Sequence, residues 1–409
     1  MIFSHQKPVL YRYYFNNILY ILNQFSFFSG QSETIAVHIV FARFAPWRSP
    51  QSLIPRTSLH TKKESLMTSP SMFDANSLDR NLGMELVRVT ESAALAGGLW
   101  AGRGDKIGVD GAAVRAMRDT LNTVNLRGTV IIGEGEKDEA PMLANGEKVG
   151  NGWGPEVDVA VDPVDGTRLC AEGRPNAISV MAIAAAGSMY NPSAFYYMKK
   201  ISTGPEAADA IDVDASVEEN IKNVAKAKNK SVRDITVVVL DRPRHDDLQA
   251  AIREAGAKVR LIADGDVAGA VAAAKHGNSV DLMMGIGGTP EGIITAAAMR
   301  CMGGAIQGRL WPKTDEEIAR AESGQYDTDK VLHTNDLCST DDCFFCTTGV
   351  TNGDMVGGVS FRSHGAYTRS LVMRGTSGTI RFIEGFHRLE KLQALSNEYA
   401  RGLPQIGSL

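Results

Sequence analysis

Cysteine is scarce in this chain: five residues, an odd number, with no secretion signal ahead of them, a pattern that suits a reducing compartment. Three of them, Cys338, Cys343 and Cys346, fall as C-x4-C-x2-C in CSTDDCFFC, the first part of a plant-type iron–sulfur spacing. That spacing needs a fourth cysteine downstream, and none follows Cys346. The stretch also reads as an apolar strand, where cysteine behaves as a small buried hydrophobe, so structural or reduced thiols are expected. Basic runs are missing after residue 70 and the net charge is −4, which leaves a nucleic-acid partner without support. No clean bilayer-length apolar run exists either; YRYYFNNILYILNQFSFF is interrupted by Asn16, Asn17, Asn23 and Gln24. No fixed-period repeat is found.

What is present is the composition of an ordinary globular protein, 44% hydrophobic and 22% charged over 409 residues, enough for two domains. Residues 1–71 stand apart, with seven Lys or Arg against two acids. Their basic, serine-containing composition resembles an organelle transit peptide. The favoured alternative is a gene-start artefact, with translation beginning at Met67 or Met72; either way the segment carries no site.

From about Asn76 the pattern becomes regular. Leu82, Leu86, Val89, Ala93, Ala96 and Trp100 recur at helical spacing, with Ser77 or Asp79 as N-cap. GAAVRAMRDTLNTV predicts a second helix capped by Asp110. GTVIIGEGE, DVAVDPVDGT, NAISVMAIAAAG and SAFYYMKKISTG read as strands, so the half spanning 73–233 is α+β and holds the acids. After a boundary near Val232 to Asp234, strands DITVVVL, AKVRLI and VDLMMGI alternate with helices HDDLQAAIREAG, DVAGAVAAAKHG and EGIITAAAMRCMGG. Such alternation predicts a doubly wound α/β layer over 234–409, with ligands at the carboxyl ends of its strands.

Acids gather at those ends and in the first half: Asp110; Glu134, Glu136 and Asp138 in GEGEKDE; Asp162 and Asp165 in DPVDGT; Glu291 in GGTPEG. Oxygen donors without histidine or cysteine suit Mg²⁺ or Mn²⁺ and argue against zinc. Lys137 to Glu139 read better as a solvated turn. In DPVDGT, Pro163 fixes the backbone, Gly166 permits close approach of a phosphate, and the amides of Gly166 and Thr167 open a helix that favours anions. The Thr167 hydroxyl can hydrogen-bond a metal-bound water, and paired cations would activate it for attack on phosphorus. Arg242 and Arg244 form a fork for a second phosphate. Asp264 and Asp266 can accept from sugar hydroxyls, and Asp266 can also cap the next helix. His245, alone, reads as a capping or surface residue.

These motifs resemble the metal-site signature of the lithium-sensitive phosphomonoesterases. More closely, GDKIGVDGAAVRAMR, IIGEGEKDEAPML, VDVAVDPVDGT, FYYMKK, LDRPRHD, DGDVAGA and GIGGTPEGI occur in the order of class II fructose-1,6-bisphosphatases, over roughly residues 76–394. The resemblance implies a layered αβαβα sandwich and hydrolysis of the 1-phosphate of fructose 1,6-bisphosphate. It implies Asp110, Glu134, Asp162, Asp165 and Glu291 as metal ligands, although some members have Glu at the Asp165 position. Thr167 would position the attacking water, with Asp110 and Glu134 beside it and Lys106 near the reacting phosphate. Asp165, Gly166, Thr167, Tyr197, Arg242, Pro243, Arg244, Asp264, Gly265, Asp266 and Gly288 would hold the sugar bisphosphate, Tyr196 being the competing choice for Tyr197.

An inositol-phosphate or nucleotide phosphatase would share the metal loop without the arginine and DGD clusters. A non-catalytic sugar-phosphate-binding protein would have no need of Thr167. Activity on sedoheptulose 1,7-bisphosphate is the alternative within the same resemblance. The expectation is a cytoplasmic gluconeogenic phosphatase using Mn²⁺ or Mg²⁺, acting on a small-molecule sugar bisphosphate with no nucleic-acid or membrane partner. A homo-oligomer, dimer or tetramer, is expected from its size and from the resemblance.

Overall fold

The computed structural model describes residues 78–134, 142–191, 195–275, 277–323 and 327–388. The leader at 1–71, the cap candidate Ser77, and Glu136 and Asp138 of the acidic loop lie outside the described residues. The chain runs α1 (Leu82–Gly98), α2 (Lys106–Leu121), β1 (Arg127–Ile132), β2 (Lys148–Val149), β3 (Glu156–Asp165), α3 (Thr167–Ala171), β4 (Ile178–Ala185) and β5 (Tyr197–Thr203). It continues with α4 (Val217–Ala227), β6 (Thr236–Leu240), α5 (Asp246–Glu254), β7 (Lys258–Ile262), α6 (Asp266–Ala274), β8 (Leu282–Gly288), α7 (Thr289–Met302) and β9 (Ala305–Leu310). The last elements are α8 (Asp315–Glu322), β10 (Leu332–His333), α9 (Thr334–Leu337), β11 (Cys343–Gly349), β12 (Ser360–Arg362), β13 (Gly365–Arg374) and β14 (Thr379–His387).

Among the described residues the strands make two sheets. One has eight strands in the order β12-β13-β11-β4-β3-β1-β2, with β14 also paired to β13; the other runs β10-β9-β5-β8-β6-β7. Alternation along each strand sends successive side chains to opposite faces and builds the layers. Val157, Val159 and Val161 of β3 join Leu86, Val89 and Ala93 of α1 and Val109, Ala113 and Met117 of α2 in one core. Ala160 of β3 and Val180 and Ala182 of β4 face the other way, onto Val267 and Val271 of α6 and Ile293, Ile294 and Ala297 of α7. Met198 of β5 and Ile306 of β9 close the same central core from the second sheet. Beyond that sheet, Ile221 and Val224 of α4 and Ile252 of α5 pack on Ile201, Val237 and Val239. The layers are therefore α1/α2, sheet, α6/α7, sheet, α4/α5, an αβαβα sandwich.

Five sequence expectations change. The helix α1 is led by Asn81 without a side-chain cap, and Asp79 instead accepts from the Asn81 amide at 2.8 Å. Trp100 falls in the turn after α1. The helix α2 begins one turn earlier than expected, because Asp105 has the extended backbone a cap needs and accepts from the Gly108 amide at 2.8 Å. Asp110 is thus inside α2 and its carboxylate is freed from capping. The boundary near 232–234 does not separate the sheets: β5 precedes it in the second sheet, and β11 to β14 return to the first. The second sheet is also mixed, since β6 is parallel to β7 and β8 while β5 is antiparallel to β8.

The cysteine triplet is structural. Three residues apart on β11, Cys343 and Cys346 enter different cores on opposite faces of the sheet and share no cluster. No helix among the described residues is long and apolar enough to cross a membrane.

Candidate active site

The parallel strands end on one side of the molecule, and the antiparallel β5 begins there. Glu134 follows β1 and Asp162 and Asp165 close β3. Arg242 and Arg244 follow β6, Asp264 to Asp266 follow β7, and Gly288 and Glu291 join β8 to α7. Loops at the carboxyl ends of strands are where α/β proteins bind ligands, because the side chains there converge without being consumed by packing.

The DPVDGT turn owes its chemistry to a bulge. Asp162 lies opposite Val180 on β4 and Asp165 lies opposite Ile178, so three steps on β3 match two on β4. Without the extra residue, carboxylates three apart would face opposite sides; the bulge turns both to one side. Pro163 sits in that bulge, where its missing N–H costs no ladder bond. The Val164 amide donates to Asp162 Oδ1 at 3.0 Å. Gly166 then turns the chain with φ of 89°, a value open to glycine at little cost, and starts α3. That helix has only five residues, so its dipole adds little to anion binding. Thr167 Oγ1 lies 2.7 Å from Asp110 Oδ1 and 3.0 Å from the Val164 carbonyl, which puts the hydroxyl between α2 and the DPVDGT turn.

Electrostatics unite the acids across the fold. Burial pushes the Asp162 carboxyl well above the ordinary range, and Asp165, Glu134, Glu291 and Asp110 push it further, in that order. Asp165 is raised by burial, then by Asp266, Glu291 and Asp264, with Lys200 opposing. Glu291 is raised to about 7, first by burial and then by Asp266, again with Lys200 opposing. The other four acids expected as ligands are therefore all felt at Asp162. Asp165 Oδ2, Asp266 Oδ1 and Glu291 Oε2 are buried acceptors without a hydrogen-bond donor. Buried anionic oxygens that lack donors and repel one another require protons or cations. The donor chemistry, carboxylate throughout, fits a hard divalent cation. Among the described residues no group of three His, Cys, Asp or Glu side chains is arranged closely enough to hold a metal ion as it stands.

Gly288 is glycine for a steric reason. A Cβ there would lie 1.8 Å from Glu291 Oε2. Lys106 is exposed at the start of α2, one turn before Asp110. Arg242 is committed to the loop after β7, donating to the Ala263 carbonyl at 2.5 Å and pairing with Asp264 Oδ1 at 2.9 Å. Arg244 donates to the Ile286 carbonyl at 2.7 Å and lies over the Tyr197 ring, 5.3 Å from its centroid. Pro243 opens a 3₁₀ turn that has Arg242 at its N-cap and contains Arg244. Gly265, at φ of 78°, brings the loop within 3.5 Å of Asp165 Oδ2, measured from the position a Cβ would take.

The two tyrosines look to different partners. Tyr196 has its hydroxyl pKa raised first by Glu291, then by burial, and also by Asp162 and Glu134, so it faces the acids. Tyr197 packs edge-on against Trp311 and lies under both Arg244 and Lys313. His245 corrects its surface reading: it is fully buried, its Nδ1 bonded to the Leu240 carbonyl at 2.8 Å and its Nε2 accepting from the Ile286 amide at 2.8 Å. Those partners fix the neutral Nδ1–H tautomer, and burial lowers its pKa.

Sequence reasoning missed three basic residues. Arg168, beside Thr167, donates to the Ala263 carbonyl at 2.9 Å, the atom Arg242 also holds. Lys313 covers Tyr197. Lys200 is almost fully buried between Asp266 and Gly288. Its signal was the alternation in YYMKKIST, which places Lys200 on the inward face of β5 with Met198 and leaves Lys199 outside.

An αβαβα sandwich with buried, donor-poor carboxylates at its strand ends is the class of fold and site on the page, and its oxygen chemistry suits a hard divalent cation. The particular family follows from comparison. The chain matches the family model described as "Bacterial fructose-1,6-bisphosphatase, glpX-encoded" over residues 80–387, and it belongs to that family. Fructose-1,6-bisphosphatase 1 class 2 of Escherichia coli strain K12 is 44% identical over 325 residues, which is 76% of this chain and 96% of that protein. Fructose-1,6-bisphosphatase class 2 of Shigella flexneri matches with the same identity and coverage.

Proposed function

We propose that this protein is a divalent-cation-dependent phosphatase that hydrolyses the 1-phosphate of fructose 1,6-bisphosphate to fructose 6-phosphate and inorganic phosphate, a gluconeogenic step. The observation that carries the reading is the single electrostatic unit formed by Asp162 with Asp165, Glu134, Glu291 and Asp110, with the Thr167 hydroxyl seated on Asp110. The names of the relatives support the choice of substrate.

Asp110, Glu134, Asp162, Asp165 and Glu291 would hold Mg²⁺ or Mn²⁺. Bound there, the cations supply the positive charge that acidifies water and stabilises the phosphoryl oxygens during displacement. Thr167 donates to Asp110, so its lone pairs are left to orient the attacking water. Lys106, exposed one turn above Asp110, supplies a further positive charge toward the reacting phosphate. Arg244, with Lys313 and Tyr197, forms the basic end that grips the phosphate that is kept. Arg242 shapes the sugar pocket by holding Asp264. Asp264, Gly265 and Asp266 line that pocket, with Pro243 and Gly166 setting its edges and Gly288 admitting Glu291. The fold belongs in the cytoplasm as a homo-oligomer on this reading, with no nucleic-acid or membrane partner.

The test is phosphate release from fructose 1,6-bisphosphate, sedoheptulose 1,7-bisphosphate, inositol 1-phosphate and adenosine 3′,5′-bisphosphate, with Mg²⁺, with Mn²⁺ and with chelator. Fastest turnover of fructose 1,6-bisphosphate, abolished by chelator, is expected. Faster turnover of the inositol or nucleotide substrate, or activity indifferent to chelator, overturns the assignment.

A further inference from the structure

Lysine is rarely buried in full, because its ammonium must give up water. Lys200 is 2% exposed, and it lies on β5 with its side chain directed into the central layer. Its Nζ is 2.8 Å from Asp266 Oδ2 and donates to the Gly288 carbonyl at 2.9 Å. These partners belong to different parts of the cleft. Asp266 opens α6 and lies in the DGD loop that faces the sugar. Gly288 ends β8 and leads within one turn to Glu291 at the acidic end.

The neighbouring backbone is cut to admit this link. A Cβ at Gly287 would lie 1.9 Å from Asp266 Oδ2 and 2.8 Å from Lys200 Cε. A Cβ at Gly288 would strike Glu291. Two adjacent glycines thus make room for the Lys200–Asp266 pair and for the Glu291 carboxylate, side by side on one strand end. Asp266 Oδ1, the oxygen that Lys200 does not hold, is buried without a donor. Removing the ammonium would leave Asp266 buried and uncompensated and would release the Gly288 carbonyl, so both loops would relax together.

We propose that Lys200 is a positioning residue that locks the DGD loop to the β8–α7 turn, so that the sugar end and the cation end of the cleft are held in one geometry. The inference rests on the phosphatase reading for what binds at each end. It touches neither reacting phosphate nor cation, and its effect is carried by Asp266 and Gly288.

Equilibrium binding to the full-length protein tests it, with fructose 6-phosphate and Mn²⁺ as separate probes and thermal melting as a check on folding. Lys200→Met is expected to weaken both fructose 6-phosphate and Mn²⁺ at least tenfold in the folded fraction. Gly287→Ala keeps both charges but pushes the pair apart, and it should weaken both probes in the same direction. This second variant decides the matter should Lys200→Met fail to fold. Steady-state KM should rise with a fall in kcat in the active variants. Wild-type binding of both probes together with unchanged affinities in Gly287→Ala and in folded Lys200→Met overturns the positioning role alone. A wild-type protein that binds neither probe overturns the phosphatase reading and this inference with it.

Discussion

Replacing Thr167 by valine is the sharpest perturbation of the proposed chemistry. The two side chains have nearly the same volume, so no cavity term arises, and the change deletes one hydroxyl that lies 2.7 Å from Asp110 Oδ1 and 3.0 Å from the Val164 carbonyl. A hydrogen bond to a charged partner contributes about 1.5–3 kcal/mol, and the half-buried position lets water recover part of it. A net destabilisation of about 1–2 kcal/mol follows, which for a domain of this size lowers Tm by roughly 1.5–3 °C. Loss of a group that orients the attacking water costs about 10²–10⁴ in kcat. That factor corresponds to about 2.7–5.4 kcal/mol on the barrier. KM should move by less than about threefold, because the hydroxyl orients water and does not grip the sugar. Thr167→Ser keeps the hydroxyl and should stay within about tenfold of wild type. Steady-state phosphate release at saturating metal measures the kinetic effects, Mn²⁺ binding checks the cation site, and thermal melting measures the shift in Tm. A folded Thr167→Val enzyme with near wild-type kcat would falsify the reasoning, and so would a loss confined to KM.

Three further predictions test other parts of the account. Gly288→Ala forces a Cβ against Glu291 Oε2 and should weaken Mn²⁺ more than tenfold; unchanged affinity would show that Glu291 is not where cations bind. His245 is held neutral with a lowered pKa, so below its unfolded pKa of about 6.5 the unfolded chain takes up a proton that the folded chain refuses. The His245 contribution should therefore shrink as pH drops from 7 to 5, opposite in sign to that of the raised carboxyls of Asp162, Asp165 and Glu291, so the wild-type urea midpoint should fall relative to that of His245→Leu over this range; a difference between the two that does not change with pH contradicts the assignment. All five cysteines are buried, with burial pushing Cys170 and Cys346 up to about 12. A thiol reagent should leave the native protein unlabelled over minutes and label it fully in denaturant, and rapid native labelling would contradict the core described here.

Much of the fold was legible because burial writes a period into the chain. The valines of β3 and the alternating strands and helices after Thr236 carried the layers, and the strand ends carried the acids. Tertiary pairing was less legible. β5 joins the second sheet through antiparallel pairing with β8 and β9, which no local signal announces. The start of α2 went to Asp105 because both aspartates can cap and only backbone conformation distinguishes them. In the site, Asp162 and Asp165 were evident as residues, whereas the bulge that puts them on one side depends on the register with β4. Lys200 escaped because a Lys-Lys pair reads as solvated charge, and its burial follows only once Asp266 is placed opposite it. His245 escaped for a related reason, since its two partners lie on β6 and β8.

Phosphorus NMR of fructose 1,6-bisphosphate incubated with the full-length protein and Mg²⁺ tests the central claim most directly, because it shows which phosphate leaves. The account predicts that the C1 phosphate resonance decays into inorganic phosphate while the C6 resonance persists, and that chelator stops the decay. Release of the C6 phosphate, or a spectrum unchanged by enzyme and metal, would contradict it.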